Sequence, residues 1–191
     1  MTRALFARGV LLLALLAVVS ARPAAAAGTR ESVRAILGAH DFMPLTREGW
    51  LKLGDDVEGH LIEAAGDATL TYGARERAMI ALAVIGGSAG REFLRQTIAR
   101  PRITPQLLSM AVESYGHGFG RTDPGDVSLL TLPLLDNADW GVRQSAVRAL
   151  GDVGTREALA ALKGRQAKES HPAVQQALRT AIAKAETEKQ R

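Results

Sequence analysis

Cysteine is absent from the 191-residue chain, and aromatic residues make up only 4% of it. The absence of cysteine excludes a disulfide framework, so the fold must be held by its apolar core alone. The scarcity of aromatics, beside abundant Ala and Leu, disfavours a sheet, which draws on Val, Ile, Tyr and Phe. It favours helices packed through small and medium side chains. Long apolar runs are missing too. The longest, Val10 to Val19, has ten residues, about half of the ~20 that a membrane-spanning helix needs. It follows Arg3 and Arg8 and precedes Ala25-Ala26-Ala27, the small-residue pattern of a cleavage site ahead of Gly28. Residues 1–27 therefore read as a bacterial export signal cleaved near Ala27, with an uncleaved anchor as the alternative. The mature chain is expected in the periplasm or outside the cell. No Cys follows the apolar run, which excludes a lipid anchor.

A large excess of one charge is also lacking. The net charge of +4 falls to +1 when Arg3, Arg8 and Arg22 leave with the signal, so the basic balance of a nucleic-acid binder is missing. No histidine pair stands at the i, i+4 spacing of a helical zinc site, no His-Glu dipeptide occurs, and no Gly-rich stretch carries the G-K-[ST] of a phosphate loop. The chain is long enough for one domain.

What is present is an internal repeat. Nine-residue segments starting at Ala74, Leu107, Val142 and Val174 align without gaps, at spacings of 33, 35 and 32 residues. The first, fifth and ninth positions of each are apolar and so fall on one helix face. The eighth is small: Ala81, Ser114, Ala149 and Ala181. A small residue there lets another helix approach closely. Each segment follows a second helical stretch, over about Val57–Ala65, Gly90–Ala99, Asp126–Asp136 and Thr155–Ala167. Asp55 and Glu58 have capping-box spacing, and Thr155 suits an N-cap. Pro133 inside the third stretch is expected to kink it, and Pro172 suits a first helical turn.

Four helical hairpins in series are therefore expected over residues 55–186. Each can bury its apolar face only by stacking on the next. Residues 28–54 should form an N-terminal helical cap. Thr29 would cap a helix carrying Val33, Ile36 and Leu37, and Thr46 one carrying Trp50, Leu51 and Leu53. From Ala185 the chain turns polar and is expected to fray, with residues 187–191 as a tail.

The stretch Asp139-Trp140-Gly141-Val142-Arg143, continuing through Ala146, Ala149, Leu150, Gly151 and Gly154 to Ala158, Leu159 and Leu162, resembles a HEAT repeat of the bacterial bilin-lyase-like type. His171-Pro172-Ala173-Val174-Gln175 repeats the pattern with Gln in place of Arg. The 104–116 copy is degenerate, with Leu108 where Arg is usual. The resemblance is clear over residues 126–184. It implies an all-α, right-handed α/α solenoid and a role in protein recognition. It implies no chemistry, since a fold does not fix a function.

Within this frame few residues invite chemistry. Asp56, His60 and Glu63 share a helix face, read as a solvated polar face rather than a metal site. Gly116 to Gly125 is the most Gly-rich connection. It reads either as a flexible insertion between repeats or as part of a binding face, with Phe119 and Arg121 as contact residues. Trp140 would either anchor a partner or pack on the adjacent hairpin. Arg143, four residues after Asp139, suggests a structural ladder of turn carboxylates and helix-start arginines, as the family commonly shows. An anion-binding stripe is the other reading. The sequence thus points to a non-enzymatic scaffold that binds a protein or peptide in the cell envelope. Its contact candidates are Phe119, Arg121, Trp140 and Arg143, on or beside the second helices of the hairpins. No cofactor, metal or nucleic acid is expected. The alternative is a bilin-lyase-like enzyme or accessory subunit.

Overall fold

The computed structural model describes residues 24–189, with side chains from residue 29 to residue 187. The expected signal lies outside these residues up to position 23, and Ala24–Ala27 open the first helix. Among the described residues the chain is helical and has no strand. Helices α1 (Ala24–Gly38) and α2 (Arg47–Leu51) precede four hairpins. These pair α3 (Val57–Gly66) with α4 (Tyr72–Ile85), and α5 (Ser88–Ala99) with α6 (Pro105–Phe119). Next come α7 (Pro124–Thr131) with α8 (Trp140–Val153), and α9 (Arg156–Gln166) with α10 (Pro172–Lys189). Each hairpin packs on the next: α4 lies against α6, α6 against α8, and α8 against α10. This is the expected α solenoid.

The helix starts follow the chemistry of orphan amides. Thr46, Thr71, Thr104, Asp123, Asp139 and Thr155 each accept a hydrogen bond from an N–H two or three residues ahead. The Asp55–Glu58 capping box does not form, and Asp56 precedes α3 without a side-chain bond. Glu58 serves the neighbouring hairpin instead. Its carboxylate accepts from the Gly90 amide at 2.7 Å, at the start of α5, whose own N-cap, Gly87, has no side chain. Gly86 and Gly154 end α4 and α8 in the left-handed region, both with φ 66°, where a side chain would clash. Pro133 lies where the α-helix gives way to a tighter turn. It cannot donate the next helical hydrogen bond, and α7 tightens into a 3₁₀ turn over Leu132–Asp136.

The nine-residue register is the register of the core. Its fifth positions, Ala78, Ala111, Ala146 and Leu178, are fully buried, as are Leu82, Tyr115 and Leu150 at the ninth. The small eighth positions are buried against other second helices: a Cβ on Gly151 would stand 2.9 Å from the Cβ of Ala181. Polar links also keep the period of the repeat. Glu113 pairs with Arg148 (2.8 Å) and Asp152 with Lys184 (2.6 Å) along the second helices. Arg30–Glu63, Arg34–Asp67 (2.6 Å) and Arg91–Asp123 do the same along the first helices.

Three local expectations are corrected. Thr29 does not begin a helix; it lies inside α1, buried, and its hydroxyl donates to the Leu53 carbonyl at 3.0 Å. On the face shared by Asp56, His60 and Glu63, His60 is not solvated, because α1 packs on α3 and His60 is only 6% exposed, while Asp56 stays exposed and Glu63 pairs with Arg30. The polar end does not begin at Ala185, which is buried while α10 continues to Lys189. Five glycines, Gly38, Gly66, Gly73, Gly125 and Gly164, are free of packing duty. Gly164 sits inside α9 with nothing within 4 Å of a Cβ. Gly164→Ala is expected to raise stability by roughly 0.5–1 kcal/mol, since it removes backbone entropy from the unfolded chain; chemical denaturation measures it.

Candidate second-helix binding face

Helices α4, α6, α8 and α10 form one continuous layer, and grooves open between neighbours. One of about 260 Å³ lies between α8 and α10, floored by Gly151, Ala177 and Ala181 and edged by Gln144, Arg148 and Lys184. Another of about 230 Å³ lies between α4 and α6, lined by Ile80, Ala83, Met110 and His117. The largest, about 480 Å³, runs between α6 and α8 and reaches Glu76 on α4, with Met110, Glu113 and Trp140 in its wall. Eight of the groove residues follow a simple rule. Glu76, Ser109, Gln144 and Gln176 hold the third position of the nine-residue register, and Ile80, Glu113, Arg148 and Thr180 the seventh. These positions lie four apart on the face next to the buried stripe. Attention to conspicuous single residues passes over them; attention to the two positions beside the core stripe finds them.

The family model of HEAT repeats matches residues 104–183, from the start of α6 into α10. Over those residues the chain matches HEAT repeats. Its fold is similar to a solved chain in the complex of CpcE and CpcF of phycocyanin lyase from Nostoc sp. PCC7120. The TM-score is 0.62 at 19% identity, covering 81% of this chain and 98% of that one. Among curated proteins none matches.

The HEAT repeats place the four candidate residues in very different settings. Trp140, at the first position of α8, is 46% exposed and lines the largest groove. Its other contact is the His171 ring, stacked at 4.4 Å with 7° between planes. It packs on the adjacent hairpin, as one of its two expected roles has it, and is also exposed. Phe119 is corrected, since it is buried inside α6, 5.3 Å from the Tyr115 ring, with the Arg91 guanidinium 5.9 Å above it. The Gly-rich stretch that carries it is helix up to Phe119 rather than a flexible insertion. Its glycines serve contact: a Cβ on Gly118 would stand 2.9 Å from the Ala83 backbone, and one on Gly116 would overlap Ala149. Arg121 is exposed just beyond α6, on a turn and away from the groove linings.

Around Phe119, Tyr115 donates to Asp126 and Arg91 pairs with Asp123, which ties α5, α6 and α7 together. Burial pushes the Tyr115 hydroxyl above its ordinary pKa, helped by the Asp126 carboxylate, and the same hydrogen bond holds Asp126 below the usual carboxylate range. This is a structural knot.

Arg143 is likewise structural and is withdrawn as a contact residue, with a side chain only 12% exposed. Its carboxylate partner is Glu169 in the following turn; Asp139 instead caps α8. Nε and Nη2 donate to the two Glu169 oxygens at 2.9 and 3.0 Å, while Nη1 donates to the Asn137 and Ala138 carbonyls. Arg165 adds a bond to Glu169 at 2.7 Å, and the Ser170 and His171 amides complete its shell. Arg143, followed by the His171 amide and Arg165, holds the Glu169 carboxyl far below its ordinary pKa despite its burial. The ladder of helix-start side chains continues in register. Arg75 donates to the Ala65 carbonyl and Gln175 to that of Glu169, so these groups cap the ends of the preceding first helices and their turns.

Among the described residues no group of His, Asp and Glu is arranged to hold a metal ion. None of the helices there is long and apolar enough to cross a membrane.

Proposed function

We propose that this HEAT-repeat chain is a non-enzymatic scaffold that recognises a protein or peptide in the bacterial cell envelope through its second-helix face. The observation that carries the proposal is the run of adjoining grooves along α4, α6, α8 and α10. Their walls are braced by ion pairs between repeats and marked by an exposed Trp140. Pre-braced side chains lose little freedom on binding, which favours association. An aromatic at such a surface is a typical anchor. The test is capture from a periplasmic extract by the immobilised mature chain. A partner should be retained by the wild type and lost when Thr180→Arg and Ser109→Arg fill the grooves. Recovery of nothing above background counts against the scaffold.

A second reading rests on the fold shared with the phycocyanin lyase complex: a bilin-lyase-like enzyme or accessory subunit. Absorbance titration with a bilin and with haem separates the two. A saturable spectral shift supports the lyase-like reading, and a flat titration supports the scaffold.

A further inference from the structure

We infer that the trough across α4, α6 and α8 takes a Lys- or Arg-bearing protein segment. This inference rests on the scaffold reading and names the chemistry of its partner. The two grooves on either side of α6 share Glu76, Met110 and Glu113 and so form one trough. Three carboxylates line it, those of Glu76, Glu113 and Asp139, and no Lys or Arg does. Glu113 is partly neutralised by Arg148, and Asp139 is engaged in capping α8. Glu76 is exposed and makes no ion pair among the described residues. The nearest arginines on α4 point their charge elsewhere, since Arg75 donates to the Ala65 carbonyl and Arg77 to those of Leu37 and Ala39. A concave surface lined by one sign of charge concentrates the opposite sign.

The rest of the lining suits a cationic chain better than a free cation. Trp140 lies at the α8 end, with His171 against one face and nearly half of the residue exposed. An indole there binds ammonium or guanidinium groups through its ring. Met110 offers a deformable apolar wall for the methylene stem of a Lys or Arg. Ser109 and Gln106 offer hydrogen bonds to a peptide backbone. A bound segment would set one basic side chain against Glu76 and Glu113 and a second over Trp140.

The experiment uses the full mature chain and three labelled peptides of one length that carry Lys, Gln or Glu at the same positions in a Gly/Leu frame. Binding is read by anisotropy and by quenching of Trp140 fluorescence. The Lys peptide should bind, and weaken as salt is raised. The Gln peptide should bind about tenfold more weakly and the Glu peptide not at all. Glu76→Gln should weaken Lys-peptide binding about threefold and Trp140→Ala about thirtyfold, while Glu92→Gln on α5 changes nothing. Trp140→Phe, which keeps a ring against His171, guards against a folding artefact and should retain most of the affinity. Equal or tighter binding of the Glu peptide overturns the inference and leaves the scaffold standing. So does Lys-peptide binding that ignores both Glu76→Gln and Trp140→Ala. If no peptide binds while the extract still yields a partner, the cationic segment is refuted and the scaffold is kept; if both fail, both fall.

Discussion

Gly116→Ala is expected to destabilise the protein by about 3 kcal/mol, the upper end for an overpacked core. In an ordinary helix the same change stabilises, by roughly 0.5–1 kcal/mol. The sign reverses here because α6 crosses α8 at this residue, and a new Cβ would overlap both the Cβ and the Cα of Ala149. The backbones must then separate, and the apolar contacts on both sides of the crossing loosen with them. Since the Ala149 Cα is also in the way, Ala149→Gly should restore only part of the loss. Gly164→Ala, with open space around it, is the matched control. Denaturation midpoints of the two Gly→Ala variants should move in opposite directions. A Gly116→Ala variant as stable as the wild type would show that α6 and α8 do not approach so closely.

Loss of the Arg143–Glu169 clamp is the second large effect. Arg143→Ala should cost about 3 kcal/mol or more, because it removes the bidentate partner of a carboxylate whose side chain is fully shielded from solvent. Part of the penalty is offset by Arg165, which remains within 2.7 Å. The clamp also predicts acid sensitivity. The Glu169 carboxyl is held far below its ordinary pKa by Arg143, with the His171 amide and Arg165 assisting. A carboxyl that is harder to protonate in the folded state than in the unfolded one stabilises fully above the unfolded pKa, ~4.3 for Glu. That contribution fades as pH falls below ~4 toward the folded value. Thermal melts of the wild type and Glu169→Gln should therefore differ most near neutrality and converge in acid. A difference that stays constant down to strongly acidic pH would show that the carboxylate charge is not what holds the turn.

Much of the architecture was legible in the sequence because it is periodic. Spacings of 33, 35 and 32 residues and the apolar first, fifth and ninth positions located four second helices. Burial of the fifth and ninth positions follows the same register. The Thr caps, Pro133 and Pro172 also act locally, through bonds within three or four residues, and so could be read from neighbouring letters. Glu58 could not. Capping-box spacing described it correctly as a group that accepts from a helix-start amide, but the amide is that of Gly90, 32 residues on.

The functional face shows the same division. Conspicuous residues drew attention for their type, yet Phe119 is buried and Arg143 is fully engaged by its neighbours. Groove residues such as Glu76, Met110 and Gln144 are unremarkable in type and acquire meaning from the two helices that flank them. Glycine is ambiguous for the same reason: a cluster from Gly116 to Gly120 is compatible with a loose loop or with crowded helices, and only the presence of Ala83 and Ala149 opposite decides for crowding. The sequence by itself determined the all-helical repeat, its period and the stripe that each hairpin buries, since these depend on helical geometry and on the removal of apolar surface from water. The tertiary structure alone decided which polar side chains became braces and which stayed available. That choice depends on a neighbour roughly one repeat away, at a distance and angle that no local pattern encodes.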